Sequence, residues 1–460
     1  MGMAAVTGTM KNQEGGTTAF SGKGVTVVGL ARSGIAAARA LDDLGAIVTV
    51  TDKKPLAELT AQITALGRER IRVIAGDHPE SLFLEADLVV LSPGVPKIPQ
   101  LAMARRHGVR VISELELGWM LSDSPVIGIT GTNGKSTVTS LVGAMLERSG
   151  KRVLTAGNIG NALTEKPELL RGQDWIVAEI SSFQLEDIET FRPRIAAILN
   201  ITMDHLDRYR DMNEYAAAKA RIFERQTGED VLVMNYDDHL VKAMAEGAAA
   251  RVIPFSRREK AAHGLYVEDG AIVFSGDVIC RVDEIMIKGV HNLENCMAAI
   301  GVALAAGAKK AAVAAVAREF PGLEHRLEFV REKNGVVYVN DSKGTNVGAV
   351  IKSVESFTRP VILIAGGSDK GSDFSQLSGV VRSNVTLLVL IGTSADAMAA
   401  ALHGATEIVH AKTLEEAVLV ASKKARPGEV VLLSPACASF DMFSDFEDRG
   451  RQFKEAVMKL

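Results

Sequence analysis

The sequence predicts an α/β protein of three domains: a Rossmann-like N-terminal domain, a central P-loop-type ATPase domain with a mainly parallel sheet, and a Rossmann-like C-terminal domain. Three observations predict it. Short β-branched runs alternate with Ala-rich helical stretches in every third of the chain, as βαβ units around parallel sheets require. Two glycine turns, at Gly29–Gly34 and Gly131–Gly134, each join such a run to a helical stretch. At 460 residues the chain is too long for one core, and a prior of about 150 residues per domain divides it into three.

The first third opens with a strand at Val25–Val28, the turn Gly29–Gly34, a helix over Ile35–Leu44 and a strand from Ile47 ending in Asp52. A strand at Leu88–Leu91 runs into the turn Ser92-Pro93-Gly94-Val95-Pro96, and Ser122–Pro125 reads as a linker. The middle third starts with a strand at Val126–Thr130, a glycine loop and a helix over Ser136–Arg148, followed by strands at Trp175–Ile180 and Ile195–Ile201. A boundary near Phe320-Pro321-Gly322 opens the last third, with strands at Val336–Val339, Val361–Ala365, Leu387–Ile391 and Val430–Leu433. Domains are therefore drawn at 22–122, 123–321 and 322–460, after a Gly- and Thr-rich leader over 1–21 expected to be disordered. In open α/β sheets ligands collect beyond the carboxyl ends of the strands, so the polar residues that end these runs are the candidate site.

Bulk properties narrow the function. Hydrophobic residues make up 47% and charged residues 23%, and no run approaches the roughly 18 uninterrupted apolar residues of a membrane span. A formal net charge of -4 gives no basic footprint for nucleic acid, so a polyanion bound here is expected to be a small phosphate ligand. Cys280, Cys296 and Cys437 are too few and too widely spaced for a disulfide framework or a CxxC pair, which fits a reducing, cytoplasmic setting. Met1–Gly16 has no cationic segment followed by an apolar one, and Val6 stands where myristoylation needs Ser or Thr.

The strongest local signal is Gly131-Thr132-Asn133-Gly134-Lys135-Ser136-Thr137 between strand and helix. Glycines let backbone N–H groups converge on phosphate, the helix N-terminus adds positive potential, Lys135 supplies a charge and Ser136 suits magnesium. The spacing differs from a standard Walker A, which needs glycine where Ile129 stands. Gly29-Leu30-Ala31-Arg32-Ser33-Gly34, with Asp52 at the ribose-acid position, resembles a dinucleotide fingerprint and by itself serves a structural turn as well as a site. Ala31 replaces the glycine that admits a pyrophosphate, while Arg32 offers a side chain to a diphosphate, which favours a UDP-type ligand over NAD.

Glu179 and the cluster Asp204-His205-Leu206-Asp207-Arg208-Tyr209 follow strands of the domain that carries the phosphate loop and offer ligands for magnesium. His291-Asn292-Leu293-Glu294-Asn295 precedes an Ala-rich helical stretch, where an Asn also serves as a cap. Arg326 reads equally as a surface charge. Asn340-Asp341-Ser342-Lys343-Gly344-Thr345-Asn346 and Gly366-Gly367-Ser368-Asp369-Lys370-Gly371 both follow strands and place Asp341, Lys343 and Lys370 on one rim, a setting for anion binding.

Taken together, these motifs resemble the Mur ligases of peptidoglycan synthesis over nearly the whole chain after the leader. GTNGKST is shared with folylpolyglutamate synthetases, whereas NDSKGTN, GGSDKG and Leu433-Ser434-Pro435-Ala436-Cys437-Ala438-Ser439-Phe440-Asp441, continuing to Phe446 and Arg449-Gly450, resemble the D-glutamate-adding branch. No DNPR-type motif of the diaminopimelate-adding branch occurs. The resemblance implies ATP-dependent ligation of D-glutamate to UDP-N-acetylmuramoyl-L-alanine through an acyl phosphate, with ATP and two magnesium ions, by a monomer with no nucleic-acid or membrane partner. It implies a UDP-substrate site at Arg32, Ser33, Asp52, Ser92 and Gly94, with Asn158 and Gln184 at the muramoyl-alanine part. ATP falls to Gly131–Thr137, Asn295, Arg326 and Asp341, and magnesium to Ser136, Glu179, His205 and Lys219, the last as a carbamate. D-glutamate falls to Thr345, Lys370, Ser439, Phe440 and Phe446, and the catalytic set is Lys135, His205, Lys219 and Lys343. Lys53-Lys54 departs from the Thr-Arg of the family pattern. Because Lys343 lies far along the chain from Lys135, the mechanism implies domain closure. The alternatives are a folylpolyglutamate synthetase-like ligase and, from another class, an NAD-dependent dehydrogenase resting on the Gly29 turn and Asp52.

Overall fold

The β-branched runs form three separate sheets in the computed structural model, which describes residues 19–158, 162–204, 208–369 and 371–460. The first contains β1 (Gly24–Val28), β2 (Ile47–Asp52), β3 (Arg72–Ala75), β4 (Leu88–Leu91) and β5 (Arg110–Ser113), all parallel, in the order β3-β2-β1-β4-β5. That order reverses direction between β1 and β4, the switch point where doubly wound sheets hold ligands. Alternation along β1 sends Val25 and Val27 to one core and Val28 to the opposite face with Val89 and Leu91, so both faces are covered.

The second sheet contains β6 (Val126–Thr130), β7 (Val153–Gly157), β8 (Trp175–Glu179), β9 (Ile195–Ile198), β10 (Val231–Asn235), β11 (Arg251–Ser256), β12 (Leu265–Glu268), β13 (Ala271–Phe274) and β14 (Asp277–Arg281). Its order is β14-β13-β12-β11-β10-β9-β6-β8-β7, parallel except for the antiparallel pairs β12–β13 and β13–β14 at one edge. The third contains β15 (Glu328–Lys333), β16 (Val336–Asn340), β17 (Val361–Gly366), β18 (Val385–Ile391), β19 (Glu407–His410) and β20 (Val430–Leu433). Here the order is β15-β16-β20-β17-β18-β19, with β15 antiparallel at the edge and the last strand inserted between β16 and β17. Leu363 and Ala365 face one core and Ile362 and Ile364 the other, again a two-faced sheet.

Two compact units result. One holds the first two sheets and comprises residues up to Ile201, Arg208–Glu284 and Glu294–Arg318; the other holds the third sheet and comprises Thr202–Asp207, Ile285–Leu293 and Glu319–Leu460. The first two sheets share a unit partly because Ser122–Pro125, expected as a linker, is tied in: Ser122 and Ser124 are buried, and the Ser122 hydroxyl donates to Leu170 O at 3.0 Å. Phe20, inside the span expected as leader, packs into the first core, while residues 1–18 lie outside the described residues. Among the described residues no helix is long and apolar enough to cross a membrane.

Candidate active site

The phosphate loop forms where β6 turns into the helix Lys135–Arg148. Gly131 and Gly134 carry positive φ, and a Cβ on Gly134 would lie 2.1 Å from Oδ1 of Asn295. Only glycine fits there. The same distance places Asn295, distant in sequence, against the loop; it lies inside the helix Val290–Ala305, not at its cap. Lys135 Nζ donates to the carbonyls of Gly131 (3.0 Å) and Thr132 (2.8 Å), so the ammonium is folded over the loop it follows. Ser136 and Thr137 are buried in the first helical turn.

Asn200, two residues beyond β9, braces this loop by accepting from Asn133 N at 2.8 Å and donating to Asn133 O at 3.1 Å, while its own carbonyl takes Thr132 N at 2.9 Å. The motif reading missed Asn200, although its place just past a strand end was the available signal. Lys219, on the helix Met212–Ala220, is buried, with Nζ 3.0 Å from Gly131 O and 4.6 Å from the Tyr215 ring centre. Tyr215 OH lies 3.3 Å from the Thr132 hydroxyl. Glu179 ends β8, is buried, and accepts from Asn158 Nδ2 at 3.0 Å. Lys135, Lys219, Asn295, Ser136 and Asn133 thus surround one loop, and Asn158 and Glu179 pair at the carboxyl end of β8, which adjoins β6. His205 lies outside the described residues.

Gln184 is buried, but its amide oxygen is committed to a capping box, taking Ser181 N and the Ser181 hydroxyl, each at 3.0 Å. At the first sheet's switch point Gly29 has positive φ, and a Cβ on it would touch Ser92 Cβ at 3.0 Å. The Ser92 hydroxyl is buried there without a hydrogen-bond partner, a donor awaiting an acceptor. Arg32 is exposed at the start of the helix Arg32–Asp43, Ser33 is half-buried and Gly94 exposed. Asp52 is turned to its own backbone, accepting from Leu30 N at 2.7 Å and Lys54 N at 2.9 Å. Its carboxylate stabilises the glycine turn, which weakens the dehydrogenase alternative that needed it on a ribose. The loop after β4 is tied to the second sheet's domain by Arg208, whose guanidinium donates to Val95 O at 2.9 Å and in a fork to Glu186 at 3.0 and 2.8 Å.

In the other unit three strand-end loops converge. Asp341, expected on a rim, points inward: Oδ2 accepts from the hydroxyls of Ser353 and Ser434, each at 2.7 Å. Burial is the main cause that pushes its carboxyl up to about 6, against those hydrogen bonds and the charge of Arg326. Lys343 does reach the rim, with Nζ 3.7 Å above the Phe446 ring, a cation–π contact. Thr345 follows it half-buried, Ser439 is buried and Phe440 is 72% exposed. Ser368 and Ala438 pair as a short antiparallel bridge, joining the loops after β17 and β20. Lys370 lies outside the described residues. His291 is held neutral, its pKa lowered to about 4 mainly by burial and further by Lys352 and Arg326.

Comparison with known proteins shows the family. Residues 23–113 match the Mur ligase MurD-like N-terminal domain, 129–303 the Mur ligase middle domain and 325–437 the Mur ligase glutamate ligase domain. The chain is 46% identical over 445 residues to the UDP-N-acetylmuramoylalanine--D-glutamate ligase of Geotalea daltonii, covering 96% of this chain and 98% of that protein. It is 45% identical over 448 residues to the enzyme of the same name from Pelotomaculum thermopropionicum, covering 96% and 98%. The solved structure of a pseudomurein peptide ligase type C from Methanothermus fervidus shares the fold, with a TM-score of 0.61 at 18% identity over 95% of this chain and 99% of that one. The three sheets, the glycine loop and near-full-length identity together place the chain in the Mur ligase family, in its group of UDP-N-acetylmuramoylalanine--D-glutamate ligases.

Proposed function

We propose that the chain ligates D-glutamate to UDP-N-acetylmuramoyl-L-alanine in peptidoglycan precursor synthesis, using ATP and passing through an acyl phosphate. The observation that carries the reading is the phosphate loop at the carboxyl end of β6, ringed by Lys135, Asn295, Ser136 and Lys219 in a chain of this family. One alanyl carboxylate oxygen attacks the γ-phosphorus, the bond to ADP breaks, and the acyl carbon becomes electrophilic. The amine of D-glutamate, deprotonated, then attacks that carbon, and the tetrahedral intermediate expels phosphate with the bridging oxygen. No protein nucleophile is needed, so the residues act by positioning and by charge.

Lys135 sets its ammonium against the transferring phosphoryl group, and the backbone N–H groups of the loop and first helical turn hold the phosphates. Ser136 and Glu179 are hard oxygen donors near that loop, which fits magnesium, and a pair of such ions supplies charge neutralisation on the phosphates when bound. Lys219 as an ammonium would oppose those ions; as a carbamate it adds oxygens of the required sign. Asn295, Arg326 and Asp341 serve the rest of ATP. Arg32, Ser33, Asp52, Ser92, Gly94, Asn158 and Gln184 serve the UDP-muramoyl substrate, with Ser92 the free hydroxyl. Thr345, Lys370, Ser439, Phe440 and Phe446 serve D-glutamate, Lys343 acts at the reacting centre, and His205 completes the metal set. The domains are those drawn at 22–122, 123–321 and 322–460, and the enzyme works as a cytoplasmic monomer.

The test is phosphate release with the three substrates together and with each omitted. Release that needs all three supports the reading. Release with a folate in place of the UDP sugar favours the folylpolyglutamate alternative, and no release in any mixture contradicts both.

A further inference from the structure

Arg449 has 0% exposure, stands on the final helix Phe446–Lys459, and belongs to no group of residues assigned above. Its guanidinium makes no contact with a carboxylate at ion-pair distance among the described residues. It donates instead to neutral oxygens: Nε to the Ser342 hydroxyl at 3.0 Å, one terminal nitrogen to Ser342 O at 2.8 Å, and the other to Cys437 O at 3.2 Å and Ala438 O at 3.4 Å. A Cβ on Gly367 would lie 3.3 Å from that last nitrogen, so the loops after β16, β17 and β20 all meet at this cation. Ser342 passes the contact on by donating to Phe446 O at 2.8 Å, and Phe446 carries Lys343 on its ring.

A buried cation is expensive, and neutral hydrogen bonds alone repay little of its desolvation. The acids whose charge reaches it, Asp441 and Asp341, make no ion pair with it: Asp441 accepts from Thr393 N at 2.9 Å through one oxygen, its other oxygen being buried without a hydrogen-bond partner, and Asp341 accepts from Ser353 and Ser434. A purely structural hub would need donors but no charge. We propose that Arg449 is a positioning residue for the amino-acid substrate: its planar fork fixes the Ser342–Lys343 and Cys437–Ser439 loops in one arrangement, and its charge makes the rim they form attractive to a dicarboxylic amino acid. The inference rests on the function proposed above, and it adds a residue that touches no substrate yet sets the affinity for one.

The experiment compares Michaelis constants for all three substrates in the parent and in Arg449→Ala, with and without guanidinium ion at non-denaturing concentration. Charged hydrogen bonds of this kind predict a rise of about 10- to 100-fold in KM for D-glutamate, with KM for ATP and for the UDP sugar within about twofold. Added guanidinium should reverse part of the rise. If Arg449→Ala does not fold, Arg449→Lys, which keeps the charge and loses the fork, should raise the D-glutamate KM alone. An unchanged D-glutamate KM in a folded variant, an equal rise for all three substrates, or no response to guanidinium overturns the inference while the parent's ligation still stands. A parent that ligates no D-glutamate overturns the functional reading and the inference with it.

Discussion

Lys135 hydrogen-bonds to two carbonyls of its own loop and fills no core, so its loss should be felt in chemistry and not in folding. Lys135→Ala is expected to lower kcat by about 10²- to 10³-fold, the usual cost of one transition-state donor, with a thermal midpoint close to the parent's. Lys219 is buried with Nζ 3.0 Å from Gly131 O, and the carbamate proposed there forms by addition of the neutral amine to carbon dioxide. Lys219→Ala should be nearly inactive and partly restored by a short carboxylic acid; a fully active variant contradicts the carbamate. Asp341 makes a pH prediction. Its folded pKa of about 6 lies above the ordinary carboxyl value of 3.8, so between those values the folded chain binds the extra proton and stability falls as pH rises. The decline amounts to about 3 kcal/mol. The midpoint of Asp341→Asn measured against the parent should therefore improve from about pH 4 to about pH 7, and a constant offset would contradict the assignment. Motif spacing identified Asp341 but not its direction, because Ser353 and Ser434, which turn it inward, are far apart in sequence.

The helix Glu114–Leu121 shows what an element does that its sequence conceals. Glu116 accepts from the backbone N–H groups of Glu189, Thr190 and Phe191 at 2.9, 2.8 and 3.0 Å, while Glu114 accepts from Thr164 N and its hydroxyl, each at 2.8 Å. Two carboxylates in an apolar helix thereby fasten the first sheet's domain to the second. Glu116→Gln places an amide N–H₂ against donors and should cost about 2–4 kcal/mol, read as a fall in denaturation midpoint. Glu114 differs, since burial raises its pKa and its second oxygen is buried without a partner. Glu114→Gln should therefore cost clearly less, and equal losses would contradict this account of the pair. The strands of the parallel centres were legible because β-branched runs are long and bounded. The antiparallel edge β12–β14 was not, as its short runs follow no helix; Arg449 was legible as part of a motif, but not its partners, Ser342, Cys437 and Ala438 in the loops after β16 and β20.

At the scale of the molecule, three α/β sheets present polar loops beyond the carboxyl ends of β4, β6, β16, β17 and β20, where Ser92, Gly131–Gly134, Lys343, Ser368 and Ser439 lie. That recurrence made the fold class and the phosphate loop readable from sequence, since both depend on local patterns. The convergence of Asn295 and Lys219 on Gly131–Gly134 depends on strand order, which local patterns do not encode. Family membership supplies the substrates, and the chemistry turns on one step, activation of the carboxylate by phosphoryl transfer before the amine attacks. It is tested most directly by running the ligation with heavy oxygen in both positions of the alanyl carboxylate and analysing the released phosphate. An acyl phosphate predicts one heavy oxygen in each phosphate and one in the new amide. Unlabelled phosphate, with one heavy oxygen in the new amide and the other released in water, would contradict it.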